Sequence, residues 1–507
     1  MAILNKSGRN HLHTETEAPT VRSVRAIRQG QRKSSTFSRF TRQRGGQEVA
    51  HASRQRIIAL KAWHRACTPA SGPYARTSTG EQPMKPTARA QLHLEVLEDR
   101  TLLAADSVLD WNLVLQQALR KSEMVAPTLA ARNAAIVHGA IYDAFNAVMR
   151  IGEAYLKTLK TPPANLDPDA AIAGAAWWSL KKLFPEQKQI VNEALVVALA
   201  GIPNGQAETL GVGYGKYVAK QYLKLRKPDA DLLWQGGYQP GNRPGMWQPT
   251  NQLLKAITPK WGRVNPFTLM AADHFVPPPL PSLTSSDYAL AFTQVKGIGS
   301  ASSLTRTLDQ TQSAIFWAYD TEGKGTPVTL YNQVLFTVAN QQGNHVGENA
   351  RLFALANFAM ADAAIAAWKI KFEVNSWRPI TAIRQGANDG NPTTAGDPNW
   401  TPLAHTVFGD YTASPSYVSA HAAMGAAAFG VLRNFYGTDH VSFTLTSDEL
   451  PGVTRSYLSF SQAARENSLS RVYLGMNFIF DVNAGESLGS AIATFVTTNY
   501  LRTTRQP

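Results

Sequence analysis

Residues 129–150 read LAARNAAIVHGAIYDAFNAVMR. Apolar side chains recur at intervals of three and four, which predicts an amphipathic helix with one wide buried face. The stretch before it, 108–122 (VLDWNLVLQQALRKS), has the same spacing. So do AAIAGAAWWSLKKLF at 170–184, QKQIVNEALVVALA at 187–200 and AETLGVGYGKYVAKQYLKLR at 207–226. Helical text resumes at 285–299, 305–320, 327–343, 348–377 and 420–437, and is predicted again over 445–475 and 484–502. Alternating strand patterns are scarce and no internal repeat stands out. The fold class is all-α, a helical bundle. Two long segments lack periodicity, about 226–283 with Trp234, Trp247 and Trp261, and about 385–416. Loops of that length are expected to wrap the domain or to serve function.

Of 507 residues, 44% are hydrophobic and 17% charged, a composition that buries a large core. Cys67 is the sole cysteine, which excludes an intrachain disulfide framework and a multi-cysteine zinc site. No apolar run reaches about 18 residues, so no membrane span is expected. The net charge of +14 divides unevenly: residues 1–100 hold 18 Lys or Arg against 7 Asp or Glu, or +11, leaving +3 for the remainder. The basic head is rich in Ser, Thr, Gln and Gly and is expected to be a disordered leader, residues 1–106, rather than a nucleic-acid module. The helical domain is expected over 107–504.

Three segments carry candidate chemistry. In KFEVNSWRPITAIR (371–384), Lys371 and Arg378 are seven apart, nearly one face of a helix, and Pro379 makes Arg378 a point where a helix ends or bends. Two cations among Phe372, Val374 and Trp377 are costly to bury without an anion; alternatively they snorkel to the surface. In PSYVSAHAAMGAAAFG (415–430), Ser419 is a good N-cap, and the helix start offers free amides, including that of Ala420, to an anion. His421 lies in that first turn; its alternative is an ordinary core histidine. In SRVYLGMNFIFD (470–481), Arg471 heads an apolar segment, Ser470 could begin or cap a turn, and a helix would align Ser470, Leu474, Asn477 and Asp481. The alternative for Arg471 is a pair with Glu466 or Asp481. Together Lys371, Arg378, Arg471, Ser419, the Ala420 amide and His421 suit a tetrahedral or trigonal oxyanion.

The order K-x6-RP, then S-x-H opening a helix, then SR-x5-[H]-x3-D resembles the vanadium-dependent haloperoxidase and type 2 phosphatidic acid phosphatase superfamily. ARNAAIVHGAIYDAFNAV, PGMWQPT, PKWGRVNPF, RTLDQTQSAIFWA and SWRPITAIR resemble its bacterial haloperoxidase branch, over roughly residues 107–504. The resemblance implies an all-helical fold of the haloperoxidase and acid phosphatase type. It implies vanadate, or phosphate as a substitute, bound by Lys371, Arg378, Ser419, Ala420 and Arg471, with His421 as acid–base residue. It implies hydrogen peroxide, a halide and a small organic acceptor as partners. A homodimer is permitted but not demanded. LHLEVLEDRTLLAAD (92–106) resembles an export motif, implying an extracellular or periplasmic location.

Two departures matter. The family's S-G-H is Ser419-Ala420-His421 here, and its second histidine, the vanadium ligand of the peroxidases and the nucleophile of the phosphatases, is Asn477. An amide nitrogen has no available lone pair. The expectation is therefore a haloperoxidase-like protein with weakened or lost activity; a non-catalytic oxyanion-binding homologue and a phosphatase are the alternatives. His138 is expected to be a core histidine; His345, His405 and His440 lie outside the three segments.

Overall fold

The computed structural model describes residues 106–503 except 123–125, 230, 231, 233–236, 251–254, 320, 322 and 410–412. The basic leader, the export-type motif up to Ala105 and Trp234 fall outside the described residues. The rest is helical, with one small hairpin.

Helix α1 (Ser107–Arg120) starts at Asp106, whose carboxylate accepts from the amides of Val108 and Leu109 at 2.8 and 3.0 Å. There follow α2 (Pro127–Met149), α3 (Pro168–Leu183), α4 (Lys188–Leu199) and α5 (Gln206–Leu225). Proline sits in the first turn of α2 and α3, where its missing N–H costs nothing. After the first long loop come α6 (Ser286–Ile298), α7 (Leu308–Phe316), α8 (Pro327–Gln342) and α9 (Val346–Val374). Then α10 (Pro379–Arg384), α11 (Leu403–Phe408), α12 (Ala420–Tyr436), α13 (Phe460–Tyr473) and α14 (Ile479–Asn499) complete the α-helices described.

Packing is organised around α9. On one side α2 lies against α9 and carries α3 and α5; on the other α12 lies against α9 and carries α13 and α14. Small residues allow the closest of these approaches. A Cβ at Gly215 of α5 would meet the Ala171 carbonyl oxygen of α3 at 2.0 Å, and one at Gly489 of α14 would meet the Ala423 oxygen of α12 at 2.1 Å. Helix α9 is long and apolar enough to cross a bilayer, contrary to the sequence reading, but 94% of its most apolar window is buried within the protein. That is the environment of a core helix.

The helix predicted over 445–475 is corrected in its first half. Residues Phe443–Thr446 (β1) and Thr454–Tyr457 (β2) form an antiparallel hairpin with Phe443 opposite Tyr457. FTLT alternates buried and exposed residues, a period of two, and Gly452 takes φ +83° in the connection. Only from Phe460 does the segment become α13.

The long loops wrap. Buried Asp362 of α9 accepts from the amides of Phe267, Thr268 and Leu269 at 2.6, 2.8 and 3.1 Å. Trp247 and Trp261 are fully buried, and the Trp247 amide donates to Asn375 O at 2.8 Å. Asp229, near the start of the first loop, pairs at 2.8 Å with both Arg132 of α2 and Arg226.

Candidate oxyanion site

All seven residues singled out in the sequence line one cavity of about 150 Å³: Lys371, Arg378, Ser419, Ala420, His421, Arg471 and Asn477. The local folds that deliver them differ in part from the sequence reading. Lys371 occupies the last turn of α9, but that helix stops at Val374, with Asn375 left-handed at φ 56°. Arg378 therefore is not on the same helix; it is the N-cap of α10, ahead of Pro379. The convergence comes from the turn, not from the seven-residue spacing. Ser419 caps α12 and accepts from the Ala422 amide at 3.4 Å.

The segment 470–481 is likewise two helices rather than one. Helix α13 ends at Tyr473, Gly475 turns the chain at φ +73°, and α14 begins at Ile479. Ser470 is inside α13, its hydroxyl donating to Asn467 O at 2.6 Å, so it starts no turn. Arg471 is in the closing turn of α13, and its carbonyl accepts from the amides of Met476 and Asn477 at 2.9 and 3.3 Å. That tight return brings Arg471 and Asn477 to one wall despite their six-residue separation. Glu466 is engaged elsewhere, by Arg455, Trp317 and Tyr457.

The cations also brace the walls. Lys371 Nζ donates to the carbonyls of Pro415 and Ser416 at 2.7 and 2.9 Å. Arg378 donates to Ser414 O and Met476 O, both at 2.9 Å, and to Ser414 Oγ at 3.1 Å. Burial, then the charge of Arg378, depress the Lys371 pKa well below the ordinary lysine value; Asp481 opposes this. Burial and Arg471 push His421 well below the usual imidazole range.

His421 Nε2 lies 2.8 Å from Asn467 Oδ1, and Tyr331 Oη donates to the His421 carbonyl at 3.0 Å. The pairing with Asn467 fixes the ring, and Nδ1 has no hydrogen-bond partner among the described residues. Asn467 and Tyr331 were missed in the sequence. The signal for Asn467 was present, since it precedes Arg471 by four and so shares its helix face. Tyr331 arrives from α8 and had no sequence signal.

Asn477 is buried and its polar atoms are engaged by protein. Nδ2 donates to Ser416 O at 3.1 Å, Ser416 Oγ at 3.2 Å and Asp481 Oδ2 at 3.2 Å. Oδ1 faces Arg378 Nη1 at 3.4 Å. Asp481 also accepts from Ser416 Oγ at 2.6 Å and from the Phe478 amide at 2.8 Å. No second histidine among the described residues lines the cavity. His138 is buried in the core 3.2 Å from Asn112 Oδ1, while His345, His405 and His440 are exposed.

The helical bundle and the lining of its cavity are similar to those of vanadium haloperoxidases. Residues 351–506 match the VCPO second helical-bundle domain. The vanadium chloroperoxidase of Curvularia inaequalis is 26% identical over 497 residues, spanning 75% of this chain and 80% of that protein. A bacterial vanadium-dependent iodoperoxidase superposes with TM-score 0.67 at 25% identity, covering 79% of this chain and 98% of its own. The holo-type bacterial vanadium-dependent chloroperoxidase shares the fold, with TM-score 0.60 at 18% identity over 79% of this chain and 96% of its own.

Proposed function

We propose that this chain is a haloperoxidase-like protein that binds vanadate, with phosphate as a substitute. Its reaction is the oxidation of a halide by hydrogen peroxide, with transfer to a small organic acceptor, and turnover is weakened or lost through Asn477. The observation that carries the reading is the gathering of three cations, a helix start and a histidine around one small cavity in a relative of the vanadium haloperoxidases. The lining fits an oxyanion held by charge and hydrogen bonds. It does not fit a centre that needs a histidine nitrogen as ligand at position 477, because the Asn477 amide nitrogen has no available lone pair and its hydrogens are committed to Ser416 and Asp481.

Vanadate, when bound in such proteins, supplies the centre at which peroxide is activated. The residues of this chain do the rest. Lys371 and Arg471 balance the charge, the Ala420 amide and Ser419 orient oxygens at the helix start, and His421 holds or releases a proton at Nδ1. Arg378 contributes charge while bracing the 414–416 loop. The missing nitrogen ligand costs about 2–3 kcal/mol or more of binding. A second reading, an oxyanion-binding homologue without turnover, is favoured by the same saturated amide. A phosphatase would have to use water as its nucleophile at this site. The export-type motif supports an extracellular or periplasmic location.

The test is calorimetry with vanadate and phosphate, followed by a bromination assay with peroxide and an acceptor dye. The expected result is binding of both anions, little or no bromination by the wild type, and a gain in Asn477→His. Binding without bromination in either form supports the non-catalytic reading. Binding of neither anion removes both readings, and hydrolysis of a phosphate monoester that vanadate inhibits would favour the phosphatase.

A further inference from the structure

Beside the oxyanion cavity lies a second hollow, of about 310 Å³. The two share one wall, the side chain of Trp368, which lines both. Trp368 is held there by its Nε1, which donates to Ile257 O at 3.2 Å. The loop that follows Ile257 lines the second hollow with Pro259, Lys260, Gly262 and Arg263. Gly262 presses that loop onto α9: a Cβ there would meet the Lys369 Cα at 2.4 Å. The loop is thus fixed against the helix rather than draped over it.

The lining has two chemical components. Tyr238 and Phe372 supply half-buried rings in edge contact, centroids 4.9 Å apart at 81°, and Trp368 supplies a third. Lys260, Arg263 and Lys369 supply positive charge, against one carboxylate, Glu373. Lys369 already pairs with Glu373 at 2.5 Å and Asp273 at 3.6 Å. Arg263 is exposed at the rim and makes no ion pair among the described residues. Aromatic walls with a surplus of cations suit a planar apolar body bearing a negative group. The volume is at the lower end of small-molecule sites, the size of a single substituted ring.

We propose that this hollow binds a small aromatic anion, a phenolate or aromatic carboxylate, with its ring against Tyr238, Phe372 and Trp368 and its charge toward Arg263. Its role as the organic acceptor rests on reading the neighbouring cavity as a haloperoxidase-type centre; its binding does not.

The probe is 4-hydroxybenzoate, followed by ligand-observed NMR and calorimetry on the full chain, with neutral 4-hydroxybenzamide as control. The expected result is saturable binding with a Kd of about 1 mM or below, at least fivefold weaker for the amide. Arg263→Glu, at an exposed position, weakens the carboxylate at least fivefold, and phosphate binding to the same variant is unchanged. Tyr238→Ala weakens both probes. No saturable binding overturns the proposal. So does binding that phosphate displaces and that Arg263→Glu leaves intact, since the probe then occupies the oxyanion cavity. Binding that depends on Arg263 in a protein that takes neither phosphate nor vanadate upholds the aromatic-anion site and removes its acceptor role.

Discussion

A lysine ammonium in a nearly dry cavity is held as a cation with difficulty, and Lys371 has Arg378 and Arg471 as further opposition. An anionic guest reverses that penalty. Phosphate or vanadate binding is therefore expected to raise the proton affinity of Lys371 and His421. Lys371→Met should weaken binding of either anion at least tenfold, measured by calorimetry. His421 gives a second expectation. Its folded pKa is below the ordinary 6.5, so on acidification the unfolded chain takes up its proton first. The stability associated with neutral His421 is thus present above about pH 6.5 and is lost as pH falls below it. His421→Gln should flatten the fall in Tm between pH 7 and 5. At this scale the sequence was informative about which residues gather. It was silent on how their hydrogens are spent, because Ser416 meets Asn477 and Asp481 only once its loop packs against the start of α14.

The helices were legible where apolar spacing runs uninterrupted, as in α1, α2 and α9. They were misread where a helix-length segment hides a reversal. At 445–475 a hairpin precedes α13, and at 470–481 a turn at Gly475 separates α13 from α14. Short strands and single-residue turns are decided by what they pack on, and β1 lies against α8. The contact of α12 with α14 carries a sharper expectation. Gly489 leaves no room for a side chain beside Ala423 O. Gly489→Leu should destabilise the protein by about 1–3 kcal/mol, read as a lower urea midpoint. Gly485 stands 2.4 Å, by its absent Cβ, from Ser419 O. Gly485→Ala should therefore disturb the mouth of α12 and weaken phosphate binding as well as stability.

Across the molecule, α9 is the common member of both helical sets and also the anchor of the first long loop. Asp362 fastens residues 267–269 from the middle of that helix. Asp362→Ala strands three buried amides, at a cost of about 3 kcal/mol or more, and should open the 267–283 region to protease well before global unfolding. The sequence suggested wrapping loops but could not name their fastening, since a single aspartate in an alanine-rich helix has no local partner. Lys371 rides on the same helix, 9 residues beyond Asp362. A 29-residue α-helix is about 43 Å long. Cutting the gene before α9 would leave the N-terminal fragment with a greasy trough and its companion with an uncovered ridge. Neither half should stay soluble by itself, and only synthesis of the two in one cell should restore the ring of basic side chains.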